Sequence, residues 1–320
     1  MRAAGALLAA CFVLAGCGGG VSIETRPTHV GILAIELATG NRVEFAVPDT
    51  TWSPRAMASE VVLGQAYFVA AVRLARVDVA NGGLTLVSDA TRGMGPLPSN
   101  LVAVAVDPAQ GRAFAYDVGI QGIMGIDLAT GDRTIVSDAT TGTGPAFNIG
   151  PAGMLYDAAG ARLIVAAPAV PVGPSVFRHA LVAVDPATGH RTILSDSATG
   201  TGPEFSFNGS FALAPDFAGG RALVHFHSTL VAVELATGNR ALIYDGPPYL
   251  FTTRIGADPA NSRVIEARHD GLRAIDLPTG NAAAVSNEAM GTGPVLADAA
   301  CISTDLPAGR VIVAGRIFDE

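Results

Sequence analysis

Histidine is scarce in this 320-residue chain, with six in all, yet His179, His225, His227 and His269 crowd into its second half. Arg178 precedes the first, Arg268 and Asp270 flank the last, and Arg254 lies between them. His225 and His227 are two apart, so on a strand they face the same side. Such a pair can hold a divalent ion, with His179 or His269 completing the set. Without a metal, the same residues form a polar patch suited to a ligand or a protein partner.

Other chemistries are excluded by what the chain lacks. It has no lysine; all 20 basic residues are arginine. That removes Schiff-base catalysis and the phosphate-loop lysine. No G-x-S-x-G, H-E-x-x-H, G-x-G-x-x-G or C-x-x-C occurs. A net charge of -8 argues against nucleic acid, whose binding relies on a basic surface. At 49% apolar and 15% charged, the chain can bury a sizeable core and does not have the composition of a disordered one.

The elements that position these residues repeat. Residues 127–145 read DLATGDRTIVSDATTGTGP, and residues 185–203 read DPATGHRTILSDSATGTGP. The turn glycine recurs at Gly40, Gly82, Gly131, Gly189, Gly238 and Gly280, spacings that mean a repeat array. Alternating apolar runs flank each turn, as in a β-hairpin. A second hairpin alternates with the first and carries Asp five residues before Arg: Asp107/Arg112, Asp157/Arg162, Asp216/Arg221, Asp258/Arg263 and Asp305/Arg310. Two hairpins make a four-stranded sheet. The chain opens with one kind of hairpin and closes with the other, so six whole sheets require the two ends to share one. That is the closure of a β-propeller, which leaves only short protected edges.

Carboxylates that recur in every sheet serve the fold. Asp127, Asp185 and their copies hold turns, and Arg42, Arg133, Arg191 and Arg240, two residues after the turn glycine, are within cross-strand reach of them. The G-T-G-P segment carries the chain from an outer strand to the next inner one. Function belongs where the repeat breaks. The longest break spans residues 166–180, between the second and third strands of one blade, and its tip is expected to carry Arg178 and His179. With His225 and His227, then Arg268, His269 and Asp270, in the same turn of the next two blades, one rim gathers them, and Arg254 enters nearby from a crossover.

The first residues, MRAAGALLAACFVLAGC, hold one arginine and an apolar run too short to span a bilayer. Leu14-Ala15-Gly16-Cys17 resembles the bacterial lipobox. The resemblance implies a signal peptide over 1–16, lipidation of Cys17, a short linker over 17–27 and a propeller over 28–320. Gly18 after the cysteine favours the outer membrane, facing the periplasm. Cys301 is then alone and is expected to lie buried in a strand.

The D-x-A-T-G-x-R-T hairpin followed by S-D-x-x-x-G-T-G-P resembles blades of bacterial lipoproteins grouped with six-bladed TolB-like and NHL-like propellers. That implies an all-β, six-bladed propeller of four-stranded antiparallel blades, closed by a blade shared between the termini. Gluconolactonase-type six-bladed enzymes hold a divalent ion at the channel mouth with Glu, Asn, Asn and Asp. Asn100, Asn148, Asn208 and Asp298 are similar in type, but no Glu matches in the first blade unless Glu60 serves. The expected function is a lipid-anchored, non-catalytic binding or scaffold module of the cell envelope, acting as a monomer. Its partners would be the membrane, through the anchor, and an envelope protein or small ligand at the top face. The alternative is a metal-dependent lactonase-like hydrolase. No cofactor is expected beyond that divalent cation.

Overall fold

Strands in this chain read as near-continuous apolar runs, LVAVAVD or RLIVAA, because both faces of each sheet are covered. The computed structural model describes residues 28–46, 54–59, 61–147, 150, 153–206, 211–247 and 254–318. It is a ring of six antiparallel four-stranded sheets. The first blade comprises Ala56–Met57, Gln65–Ala70, Arg73–Asp78 and Leu84–Ser88, and the second Leu101–Asp107, Arg112–Asp117, Gly122–Asp127 and Arg133–Ser137. The third comprises Gly153–Asp157, Arg162–Gly173, Val176–Val184 and Arg191–Ser195, and the fourth Phe211–Asp216, Arg221–Phe226, Thr229–Glu234 and Arg240–Asp245. The fifth comprises Arg254–Asp258, Arg263–Arg268, Gly271–Asp276 and Ala282–Ser286. The sixth joins both ends of the described chain: Leu296–Asp305, Arg310–Phe318, Thr28–Glu36 and Arg42–Ala46. Thr28 pairs with Phe318 and Glu36 with Arg310, so the ring closes through a shared blade as the order of the hairpins requires.

The core is divided among the seams. Among the described residues six buried clusters are present, and each draws its side chains from two neighbouring blades. Phe114 and Tyr116 of the second blade meet Leu163 and Val182 of the third, for example. Inner strands touch in ring order, and the sixth blade returns to the first.

The turn between first and second strands is built as the sequence suggests. Asp107, Asp157, Asp216, Asp258 and Asp305 lie 3.2, 2.9, 2.5, 2.7 and 2.7 Å from their arginines. The arginine two residues after each turn glycine differs from expectation. It does not pair with the acid of its own hairpin. That acid caps its own turn instead: Asp127 Oδ1 accepts from the Ala129 and Thr130 amides at 2.9 and 2.8 Å.

Arg133 reaches back into the crossover arriving from the preceding blade. Its Nε donates to Pro96 O at 2.7 Å, and its Nη1 to Ser88 Oγ at 2.7 Å, Asp89 O at 2.8 Å and Arg92 O at 2.9 Å. Its Nη2 donates to Gly93 O at 3.0 Å. Ser88 Oγ in turn donates to Gly131 O at 2.6 Å. Arg191, Arg240 and Arg42 repeat this with Ser137, Ser195 and Ser286 and with Pro145, Pro203 and Pro294. All four arginines are buried. Strand twist lays the end of one outer strand against the start of the next, and the guanidinium fork fastens them.

The glycines of the G-T-G-P segment follow from that closeness. Gly142 has φ +80, and a Cβ on it would lie 1.9 Å from Gly189 O; one on Gly144, at φ +106, would lie 2.0 Å from Arg191 O. The staple is absent at two seams. The first and fifth blades have Leu84 and Ala282 where the arginine would be, and the crossovers leading into them, residues 47–55 and 246–253, carry no G-x-G-P.

Candidate functional site

Both crossovers that lack the staple deliver an arginine to the centre of the ring. Arg55 lies just ahead of the strand Ala56–Met57, and Arg254 begins the strand Arg254–Asp258. Both line a cavity of about 490 Å³ in the central channel, whose wall takes residues from the innermost strands of all six blades. It occupies the half of the channel where the crossovers arrive. Among the described residues the wall is otherwise small or apolar, with Ala103, Met154, Leu213 and Ile302 in it, and its third charge is Asp298. Two guanidinium groups thus flank one carboxylate contributed by the sixth blade, which lies between the first and fifth.

Each charged group has identifiable surroundings. Arg254 Nε donates to Ala300 O at 2.6 Å. Burial pushes its pKa down, against the opposing pull of Cys301 and Asp298. Arg55 Nη1 donates to Asn100 Oδ1 across the seam between the first two blades. The Asn100 backbone is fixed by Asp117, which also accepts from the Ser99 amide at 2.6 Å and the Ser99 hydroxyl at 2.5 Å. Burial alone would raise the Asp117 carboxyl, but these donors and the Gly119 amide hold it below the usual range. Asp298 lies 3.5 Å from Arg316 Nη2. Cys301 is buried in a strand, as the sequence suggests, and burial pushes its thiol up to about 12 despite the nearby Arg254. A thiol so protonated is not a nucleophile at neutral pH.

Of the four channel-mouth positions, Asn100 and Asp298 each have an arginine as neighbour, which competes with a cation for the same oxygens. Asn148 and Asn208 lie outside the described residues, as do Cys17 and Glu60. Among the described residues no three His, Cys, Asp or Glu side chains gather around one point.

The rim set does not come together as expected. His225 is fully buried, while His227 and His269 are only half-buried. The second strand of the fourth blade ends at Phe226, and His227 turns with φ +52, so alternation no longer puts the pair on one face. Arg254 belongs to the channel. Arg178 and His179 are not at the tip of the long hairpin: Arg178 pairs with Val170, and the turn lies at Pro174 and Ser175. Arg178 Nη1 is 3.2 Å from the buried carboxylate of Asp196. Arg268 Nε lies 3.1 Å from Asp270 Oδ1, and His269 Nδ1 lies 3.9 Å from it.

A buried polar group was missed. His225 Nε2 lies 3.3 Å from Glu266 Oε1 across the seam between the fourth and fifth blades. Arg273 Nε donates to Glu266 Oε2, and its Nη1 to the Tyr244 hydroxyl at 2.9 Å. Burial lowers the His225 pKa to about 3, with Arg273, Arg268 and His227 adding to the effect. Glu266 would favour the imidazolium, but Arg273 already neutralises it. The signal was in the sequence: the position of Glu266 is Phe68, Ala115, Val165, Val224 and Val313 in the other blades.

Known structures share the architecture. A chain of a nidogen–laminin complex superposes with a TM-score of 0.58 at 13% identity, covering 82% of this chain and 94% of its own. The TolB-type protein of Agrobacterium tumefaciens gives 0.57 at 12% identity, over 92% of this chain and 99% of its own. The extracellular domain of a hybrid two-component system from B. thetaiotaomicron gives 0.55 at 9%, over 90% of this chain and 38% of that one. At such identities the likeness is one of fold. No family model and no curated protein sequence matches the chain.

Proposed function

We propose that this chain is a lipid-anchored cell-envelope propeller acting as a non-catalytic binding module, with a small anionic ligand held between Arg55 and Arg254. The observation that carries the reading is the coincidence of breaks. The repeat loses its staple at two seams, and each of the crossovers there brings a guanidinium group to the central cavity. The seam arginines Arg42, Arg133, Arg191 and Arg240 donate to carbonyls and a serine hydroxyl of the crossover, whereas Arg55 and Arg254 line the cavity. Among the described residues of the cavity wall these two guanidinium groups outnumber the one carboxylate, Asp298, which also lies 3.5 Å from Arg316 Nη2. Guanidinium forks suit carboxylate or phosphate.

Titration calorimetry with acetate, succinate and a phosphate monoester tests this. Saturable binding of one of them is expected, weakened about 10- to 100-fold by Arg55→Met or Arg254→Met, since a charge-assisted hydrogen bond contributes about 1.5–3 kcal/mol. Binding unchanged in both variants, or no anion bound, overturns the reading. A stoichiometric divalent ion together with lactone turnover lost in Asp298→Asn would replace it with the metal-dependent lactonase-like hydrolase.

The envelope location rests on the lipobox-like Leu14–Cys17 and is supported by fold likeness to a TolB-type protein and an extracellular domain. No helix among the described residues is long and apolar enough to cross a membrane. Two or more acyl chains anchor stably where one is marginal. Cys17→Ser should therefore move the protein from the carbonate-washed membrane pellet to the supernatant with its unfolding transition unchanged. A variant that still pellets removes the anchor.

A further inference from the structure

The hairpin of the third blade is twice the usual length on its first arm. Arg162–Gly173 runs 12 residues, where the second strands of the first, second, fourth and fifth blades run six. Its base is bound to the fold: Val170 is buried with Tyr116 and Phe147. Its end is not. Val172, Val176 and Phe177 are 37%, 52% and 51% exposed. From residue 163 to residue 177 there is no charged side chain. The corresponding turn of the adjacent second blade adds the exposed Val118.

We propose that this hairpin end inserts into the surface of the lipid bilayer and, with the anchor, orients the propeller on it. The inference rests on the lipid-anchor reading and adds a second point of contact. Placement argues for lipid as the occupant. Thr28, where residues 1–27 join the fold, pairs with Phe318 at the end of the sixth blade's second strand. That is the level at which the other blades make their second-to-third-strand turn, so the anchor segment and the hairpin end share one face. They also lie on opposite blades, the third being three steps from the sixth around the ring. The 11 residues from Cys17 to Pro27 reach at most about 40 Å at ~3.3–3.6 Å per residue, which keeps that face near the membrane. An uncharged end bearing valine and phenylalanine suits the boundary between headgroups and acyl chains, about 5–10 Å deep. Contact at two opposite blades turns the crossover end of the channel, and so the cavity, toward the bilayer. Beside an anchor of two or more acyl chains, three side chains add little hold and set the attitude of the propeller instead.

The test uses the full-length lipidated chain in vesicles of phosphatidylethanolamine and phosphatidylglycerol with brominated acyl chains. Phe177→Trp is compared with Leu63→Trp, at a 90% exposed turn on the other face, with Trp52 a common background. The emission added by Phe177→Trp should shift to the blue and be quenched by bromine, and that added by Leu63→Trp should not. Equal quenching of the two, or none, overturns the proposal. Phe177→Trp emission shielded from iodide but not quenched by bromine also overturns it, and assigns the hairpin to a protein partner. Cys17→Ser separates the two readings. If it leaves the vesicles while the anchored parent shows no quenching, the anchor stands and the hairpin contact falls. If it stays bound and the hairpin is quenched, the hairpin contact stands and the anchor falls.

Discussion

Arg133→Ala is expected to destabilise the propeller by about 3 kcal/mol, since buried acceptors left without a donor cost about 1–3 kcal/mol each and Arg133 serves several. Water entering the vacated space offsets part of the loss. In a domain of this size about 3 kcal/mol lowers Tm by roughly 5 °C. Arg133→Lys should lose most of the same stability, because an ammonium on a flexible stem cannot reproduce the fork that spans Pro96 O, Ser88 Oγ and Gly93 O. The control is Arg112→Ala. Arg112 is 36% exposed and makes one bond to the buried Asp107, which keeps the Gln110 amide as a donor, so its loss should cost less, about 1–2 kcal/mol. Urea titration of the three variants decides. Arg133→Ala and Arg112→Ala falling within experimental error of each other would mean that the seams are held by apolar packing alone.

The staple also explains why two sequence features travel together. Arginine appears after the turn glycine in the second, third, fourth and sixth blades, and those four are preceded by G-x-G-P. Neither half is useful without the other. The crossover before Ala282 has no G-x-G-P in its sequence, and a G-x-G-P segment without its arginine would leave carbonyls and a serine hydroxyl buried without a donor.

Most of the fold was legible because it is written several times over. Turn glycines, the Asp-to-Arg spacing and the unlike hairpins at the two ends each point to a closed ring of six, and these local choices agree with one another. The site was less legible for a geometric reason. Spacing along a strand shows what lies across the same hairpin, and for Arg133 that is Asp127. Twist carries Arg133 to the neighbouring blade instead, and only the joint occurrence of arginine and G-x-G-P could have shown that. Spacing alone puts His225 and His227 on one face of a strand, but that strand ends at Phe226, one residue too soon. The crossover before Arg254 points to the rim, but Arg254 is already the first residue of an inner strand. Cys301, whose flanks are apolar in both directions, was read correctly as buried.

The buried polar group at the seam between the fourth and fifth blades should make the protein's stability depend on pH in a window set by one residue. His225 has a folded pKa of about 3 against an ordinary 6.5, so it is neutral in the fold and takes up a proton on unfolding at acid pH. Stability rises with pH wherever the unfolded state binds more protons. The contribution is therefore complete above about pH 6.5 and is lost progressively as pH falls from there toward 3, at roughly 1 kcal/mol per pH unit. The groups around His225 do not reverse this: Glu266 is paired with Arg273, and Arg273, Arg268 and His227 oppose a further positive charge. Carboxylates held low by hydrogen bonds, such as Asp117 and Asp127, act below their ordinary 3.8 and leave the range from 5 to 6.5 clear. In His225→Phe the slope of unfolding free energy against pH across that range should flatten; the second blade already carries an aromatic, Tyr116, at the matching position. Glu266→Leu alone should cost about 3–5 kcal/mol, since it leaves the largely buried Arg273 without its counter-charge. Adding Arg273→Leu to it should recover much of that loss, because apolar replacement of a whole buried pair is often neutral. A slope unchanged in His225→Phe would show that another group titrates there, and a double variant as unstable as Glu266→Leu would show that the seam needs Arg273 for more than its charge.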